Sequence, residues 1–174
     1  MENRGEDMRD ILTAGLLATT LGLAACGSEP AAPPAQEEET APVLLKAGEW
    51  TITRKTTGYN TPTVTPAEYQ AALKQESEDK VCLKVDAQGV PDANALAGSE
   101  GSDCSYKDKL IRKGRLIATL ACKAGAGTSE IVVEGNFTED GLTLGTTMTK
   151  TQGGKPVLRT THDLTGKREG NCPA

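Results

Sequence analysis

The sequence predicts a mainly β fold, an antiparallel meander curled into a half-barrel or small barrel, with one short helix. Turn signals recur at short intervals, at Lys113-Gly114, residues 125–127, Asp140-Gly141 and Gly153-Gly154. The runs between them are rich in Thr, Val, Ile and Leu, which is typical of hairpins in series. Apolar and polar residues alternate within these runs, as they do in strands with one buried face.

The alternation predicts strands near residues 48–57, 79–85, 103–112, 115–122, 129–138, 142–151 and 156–167. About seven strands must curl to bury one apolar face, which gives the half-barrel or small barrel. Large aliphatic side chains on that face are expected to fill the interior, so we expect no tightly bound small molecule there. The predicted inward residues are Trp50, Ile52, Ile131, Val133, Phe137, Leu142, Leu144, Met148, Leu158 and Leu164.

The one predicted helix begins at a capping box formed by Thr65 and Glu68, with proline at the first helical position. The two capping residues can satisfy each other's backbone N–H groups, and proline suits a position whose N–H is unpaired. We expect this helix to cover an open edge or end of the sheet. Its apolar stripe consists of Tyr69, Ala72 and Leu73.

Residues 1–25 are predicted to be a signal peptide of the lipoprotein type. Residues 11–25 are apolar and small, too short for a stable membrane-spanning helix but long enough for the core of a signal peptide. The following Cys26, in the context Leu-Ala-Ala-Cys-Gly, resembles the lipobox cysteine that bacteria acylate before cutting the chain. The first ten residues are more acidic than a signal peptide prefers, so translation starts either at Met1 or, with a basic residue beside the amino terminus, at Met8.

Residues 26–43 are predicted to be a lipidated, disordered tether. They are rich in Pro, Ala and Glu and nearly free of large apolar groups, so they cannot offset the entropy of ordering. Bacterial sorting retains lipoproteins at the inner membrane mainly when aspartate follows the cysteine, and here Gly27 follows it. We therefore expect a protein anchored to the outer membrane through its lipid and facing the periplasm.

Residues 44–174 are predicted to form a single domain whose composition excludes some partners. Of the 19 Lys plus Arg and 24 Asp plus Glu, two basic and four acidic residues lie in the first 25 positions, so the mature chain carries 17 against 20. This mild acidic balance argues against nucleic-acid binding, which needs clustered positive charge. One Trp, three Tyr and one Phe leave few stacking platforms for sugars or bases.

Four cysteines remain once the lipidated one is set aside, and an even count in an exported domain indicates two disulfides. A zinc site is the rival interpretation, but the spacings are wide and no C-x-x-C pair exists. If the hairpin turn centres on Lys113, Cys104 and Cys122 lie opposite each other on neighbouring strands, within bridging range. Cys82 and Cys172 are then the remaining partners.

No pattern predicts catalysis, a cofactor or a metal. The only histidine, His162, is expected on an outer or terminal strand, and Asp163 beside it points to the opposite face and cannot orient the ring. We interpret His162 as satisfied or exposed rather than catalytic. No serine lies in a G-x-S-x-G context, and the Gly-rich residues 123–129 lack the lysine and helix of a phosphate-binding loop.

Basic residues surround one predicted hairpin tip, and Arg112, Lys113 and Arg115 are a candidate interaction surface. They could contact lipid phosphates or an acidic partner. The alternative is that solvated charges here guard a strand edge.

Several short pieces are spread in order over almost the whole of residues 44–174. They are Gly48-Glu49-Trp50, Cys82-Leu83, Cys104-Ser105-Tyr106, Cys122 and the ending at residues 166–172. In this order they resemble a family of small bacterial lipoproteins known as domain of unknown function family 3617. The resemblance implies an exported, disulfide-bonded, mostly β protein of Gram-negative envelopes, with no activity or cofactor to carry over. A capped insertion, residues 65–78, departs from the family pattern.

The functional expectation is a non-enzymatic envelope lipoprotein that acts as a binding or interaction module, with an envelope protein as a candidate partner. The alternative is a periplasmic carrier of a small apolar ligand within the β-barrel. Further rivals are an enzyme inhibitor or assembly factor that uses a loop face, and then an enzyme. An enclosed apolar cavity would favour the carrier, a filled interior with an exposed apolar patch the interaction module, and a cleft at His162 the enzyme.

Overall fold

In this computed structural model, residues 42–173 are described; the predicted signal peptide, Cys26 and nearly all of the tether lie outside this range. Leu45 is buried, and its neighbour Lys46 donates its backbone N–H to the Glu139 carbonyl at 3.0 Å. The elements in chain order are β1 (Gly48–Asn60), α1 (Pro66–Ala72), β2 (Glu76–Leu83), α2 (Ala93–Ala97), a 3₁₀ turn (Gly98–Glu100), β3 (Ser102–Arg112), β4 (Arg115–Ala124), β5 (Gly127–Phe137), β6 (Gly141–Gln152) and β7 (Lys155–Gly170).

The seven strands form one antiparallel sheet in the order β2-β1-β7-β6-β5-β4-β3. Strands β3 to β7 are a meander, and the β1–β2 hairpin extends it by pairing β1 with β7. Within residues 42–173 no ladder joins β2 to β3, so the sheet is an open, curled half-barrel rather than a closed barrel. The chain instead runs from one sheet edge to the other through residues 84–101, which include α2.

The apolar face of the sheet is the one that the alternation predicts. Nine of the ten predicted inward residues are buried, and the tenth, Leu158, is half-buried against the same core. The expectation of a single helix was wrong, because the chain also forms α2. Ala93, Leu96 and Ala97 of this second helix lie in the same core. The interior is therefore filled by the sheet and the crossing segment together.

Helix α2 escapes prediction because five residues are too few to show helical periodicity. Its only local signal is the N-cap Asp92, whose carboxylate accepts the backbone N–H groups of Asn94 at 2.9 Å and Ala95 at 3.4 Å. The predicted helix is present as α1, with both halves of the capping box formed between Thr65 and Glu68. It lies in the β1–β2 connection, packs on β1 and buries only Ala72.

The two free edges of the sheet carry charge. Strand β2 begins three residues before its predicted start. The sequence pattern missed these residues because residues 76–80 are exposed and show no apolar alternation. Strand β3 exposes residues 107–110 and is interrupted by two register shifts. Charged side chains and bulges at an edge discourage pairing with another sheet.

Candidate functional site

Two disulfides join the pairs that the sequence predicts, Cys82 with Cys172 and Cys104 with Cys122. The Cα atoms of the first pair are 5.4 Å apart, and those of the second are 4.1 Å apart. The first bridge ties edge strand β2 to the residues after β7, and the second ties edge strand β3 to β4. Each sheet edge is thus covalently fixed to the rest of the domain.

The Cys104–Cys122 pair depends on a β-bulge that no feature of the sequence predicts. The β3–β4 turn has two residues, so an unbroken ladder would place Cys104 opposite Lys123 rather than Cys122. The register shift between Tyr106 and Asp108 moves the pairing by one residue and corrects this offset. The predicted turn centre on Lys113 was therefore wrong by half a residue, although it led to the same pair.

Residues 84–101, which we name the strap, run between the two disulfides and over the concave face of the sheet. Two side chains fix its outer half. Asp86 accepts the backbone N–H groups of Gln88 and Val90, both at 2.9 Å. The Tyr106 hydroxyl donates to the Pro91 carbonyl at 2.8 Å, and burial raises the pKa of that phenol strongly.

The inner half of the strap meets a buried polar cluster, consisting of Arg54, Thr56, Glu100, Thr160 and His162. The Glu100 carboxylate accepts a hydrogen bond from the Thr160 hydroxyl at 2.7 Å and lies 2.6 Å from His162 Nε2. Arg54 donates from Nη2 to the Leu96 carbonyl at 3.1 Å. The side chains of Arg54, Glu100 and His162 are each at most 10% exposed. Charged groups this far from solvent are costly unless they compensate one another.

The sheet register assembles the other side of the cluster. Thr56, His162 and Thr146 are direct neighbours across β1, β7 and β6 and point to the same concave face. The Thr56 hydroxyl and His162 Nδ1 are 3.3 Å apart and share a hydrogen bond whose direction depends on the imidazole tautomer. Ser129 on β5 anchors the strap from a further strand, donating its hydroxyl to the Glu100 carbonyl at 3.2 Å.

Electrostatics keep Glu100 charged despite its burial. Desolvation is the largest single influence and would raise the pKa of this carboxyl, but the adjacent His162, the hydrogen bond from Thr160 and the charge of Arg54 together lower it below its ordinary value. Burial lowers the pKa of Arg54, and Glu100 opposes that effect. A guanidinium remains protonated in proteins, so an ionised pair lies under the strap.

The cluster is incompletely satisfied. Among the described residues, Arg54 Nη1, Glu100 Oε2, Thr146 Oγ1 and His162 Nε2 are buried without a hydrogen-bond partner. Arg54 Nη1 and Glu100 Oε2 are 4.0 Å apart, too far for a direct hydrogen bond. His162 Nε2 is close to Glu100 in distance, but the pair lacks hydrogen-bond alignment. Partly satisfied buried networks are costly, which marks the cluster as more than packing.

The expected position of His162 was therefore wrong in one respect. Its strand β7 lies between β1 and β6, not at an edge of the sheet, and the imidazole is buried. Asp163 is exposed on the opposite face, as expected, and the carboxylate beside the ring is Glu100. No sequence pattern predicts a role for Glu100, which lies at the end of the short 3₁₀ turn. Arg54 was detectable, because it occupies an inward position in the same alternation as Trp50 and Ile52.

The predicted basic surface is neutralised at one of its three residues. Arg112, Lys113 and Arg115 are all exposed at the β3–β4 turn, but Arg115 forms an ion pair with Glu134. Further along the hairpin, Lys107 pairs with Glu130 at 3.1 Å and Lys109 with Asp86 at 3.2 Å. Exposed pairs of this kind contribute little stability. The arrangement favours the interpretation as edge-guarding charges, with Arg112 and Lys113 at the tip.

An apolar patch lies on the convex face beside this hairpin. Leu110 is 59% exposed and Val132 45% exposed, and the half-buried Ile117 lies between them. Ile117 is the ladder partner of Leu110, and Val132 pairs with Thr119, the next residue on that face of β4. We name these three residues the outer apolar patch. It adjoins edge strand β3.

Comparison with known proteins gives one result. A family model described as "Protein of unknown function (DUF3617)" matches residues 45–172. The chain belongs to the DUF3617 family. No curated protein and no solved structure matches this DUF3617 chain.

The described part of this DUF3617 protein contains neither a membrane-spanning helix nor a group of metal-binding side chains. No helix in residues 42–173 has the length and apolar character needed to cross a membrane. In the same range, no three His, Cys, Asp or Glu side chains are grouped so that they could hold a metal ion.

Proposed function

We propose that this DUF3617 protein is a lipid-anchored module of the bacterial envelope that binds another protein through the outer apolar patch. The observation that carries the proposal is the contrast between the two faces of the sheet. The concave face is covered by α2 and filled, whereas the convex face exposes Leu110 and Val132 on either side of Ile117. Large apolar side chains that are grouped and exposed mark interaction surfaces.

The surroundings of the patch fit a protein interface. Lys107 with Glu130 and Arg115 with Glu134 place ion pairs on the same face of β3, β4 and β5 as the patch. An apolar centre with a polar rim is the usual composition of such interfaces. Three residues form a small centre, so the proposal is a transient contact rather than an obligate one.

Anchoring at Cys26 supports this role. The lipobox would hold the protein at the membrane, and the residues between Cys26 and the first described residue would let the domain reach a partner. An anchored module needs no ligand in its interior. The rival carrier would need that interior, which Leu96 and Ala97 of α2 occupy with no exposed surface.

The experiment uses a photo-crosslinking residue in place of Val132 in the full-length protein in its native membranes. We expect one defined protein adduct from this position. The matched position is Asp163, which is exposed on the same convex face but lies two strands away from Val132, and it should give no such adduct. Adding Leu110→Lys should abolish the Val132 adduct, because a charge replaces the largest exposed apolar group.

Tyr69→Lys is the control variant, since Tyr69 is also an exposed apolar residue but lies on α1. It should leave the adduct unchanged. An identical adduct from position 163, or a Val132 adduct that survives Leu110→Lys, would contradict the proposed surface.

A further inference from the structure

We propose that the strap, residues 84–101, is a displaceable cover that the Glu100 carboxylate locks onto the concave face and that acid unlocks. The proposal does not depend on the lipid anchor or on the outer apolar patch. It rests on three independent features of the strap. These are its attachment points, the small number of polar contacts that hold its inner half, and the incompletely paired charges beneath it.

The attachment points make local release of the strap reversible. Cys82 precedes the strap and is bridged to Cys172, while Cys104 follows it and is bridged to Cys122. Both ends of the segment are thus covalently fixed to the sheet. If the residues between them lift, the chain on either side keeps its place. A segment of lower stability than the rest of a domain can open locally without global unfolding.

Besides the apolar packing of α2, few polar contacts hold the inner half of the strap, and most of these involve Glu100. The Glu100 carboxylate accepts a hydrogen bond from Thr160 of β7 and lies beside His162 of the same strand. The Glu100 backbone carbonyl accepts a hydrogen bond from Ser129 of β5. Arg54 from β1 contributes the hydrogen bond to the Leu96 carbonyl. At Gly98 an added Cβ would lie 2.6 Å from Arg54 Nη2, so the segment is fitted closely around this guanidinium.

The charges under the strap are poorly matched to a purely structural role. A buried ion pair generally gives less stability than apolar side chains of the same volume, and here four polar atoms also remain without partners. The groups that face Glu100 are Arg54, His162 and two hydroxyls, from Thr160 and Ser129; the nearest further charge that acts on Arg54 is Asp79 on β2. One negative charge therefore compensates the guanidinium from within the cluster.

Removing that negative charge is expected to release the strap. The pKa of Glu100 in the folded protein lies below its ordinary value of 4.5, so the carboxylate stabilises the closed strap at neutral pH. This contribution is complete above the unfolded pKa, near ~4.3, and is lost as the pH falls through the folded pKa. Protonated Glu100 would leave the buried Arg54 guanidinium without the carboxylate that compensates it from within the cluster. Opening would then expose the apolar residues that α2 covers.

The test is hydrogen–deuterium exchange of the full-length protein, with peptides from the strap compared with peptides from β5. Rates are divided by the intrinsic exchange rate at each pH. We expect the strap to exchange several-fold faster at acid pH than at pH 7, because the contribution of the Glu100 carboxylate is lost as the pH falls through its folded pKa, while β5 keeps its protection. Glu100→Gln should give fast strap exchange already at pH 7 and remove the pH dependence.

Two further variants make the result decisive. Asp163→Asn removes a carboxylate from the same strand as His162 but on the convex face, and should keep the wild-type profile. Thr160→Val leaves all charges in place and deletes one hydrogen bond that keeps Glu100 ionised, so it should move the opening midpoint to higher pH even if Glu100→Gln fails to fold. The proposal is overturned if strap and β5 lose protection together, or if Glu100→Gln folds and keeps the wild-type pH dependence. An unchanged midpoint in Thr160→Val overturns it as well.

Discussion

Replacing Cys82 and Cys172 together by serine is expected to lower the free energy of unfolding by about 4.5 kcal/mol in the chain-entropy model. The bridge spans 90 residues, and closing so long a loop removes much entropy from the unfolded chain. It also holds edge strand β2 and the chain end after β7, which would otherwise fray. A loss of this size is a large part of the 5–15 kcal/mol that typically stabilises a domain.

The matched variant replaces Cys104 and Cys122 by serine. That bridge spans only 18 residues, so its loss should cost less, about 3 kcal/mol. Denaturant unfolding of both double variants, in parallel with the wild-type protein, gives the comparison. A smaller loss for the long bridge than for the short one would contradict the expected order.

Replacing Cys26 by serine is expected to release the protein from the membrane fraction. A serine hydroxyl does not replace the Cys26 thiol that we propose to receive the lipid. Membrane and soluble fractions of cells that express each form, probed for the protein, provide the measurement. The effect should be nearly complete, since a lipid anchor of this type dominates membrane affinity.

The control is Gly27→Asp, which keeps the lipidated cysteine. It should remain bound to membranes but move from the outer to the inner membrane fraction, because aspartate after the cysteine favours retention there. A Cys26→Ser protein that still sediments with membranes and keeps its first 25 residues would contradict the predicted anchor.

The sheet was predictable because its residues carry their own signals. Trp50, Ile52 and Leu164 alternate with polar neighbours, and glycine-containing turns separate the strands from β3 onward. The Cys104–Cys122 disulfide was predicted from hairpin geometry, since opposed residues come within bridging range, and the Cys82–Cys172 disulfide by elimination. The bulge that brings Cys104 to Cys122 was not predictable, because no glycine or proline marks it.

The buried polar cluster was not predictable, because it joins residues that are distant along the chain. Glu100 lies in a segment without periodicity, and nothing local to it indicates His162 or Arg54 as a neighbour. Helix α2 was missed for the same reason, since its five residues are defined by burial under the sheet more than by their own pattern. Long-range packing overrides weak local preference in both cases.

Native mass spectrometry of the soluble domain, residues 44–174 purified from the periplasm, tests most directly whether the protein works through its surface or its interior. We expect the mass of the polypeptide with two disulfides and no retained small molecule, because α2 and the sheet side chains fill the concave face. A stoichiometric lipid or other apolar molecule that stays bound would contradict the filled interior and would favour the carrier over the interaction module.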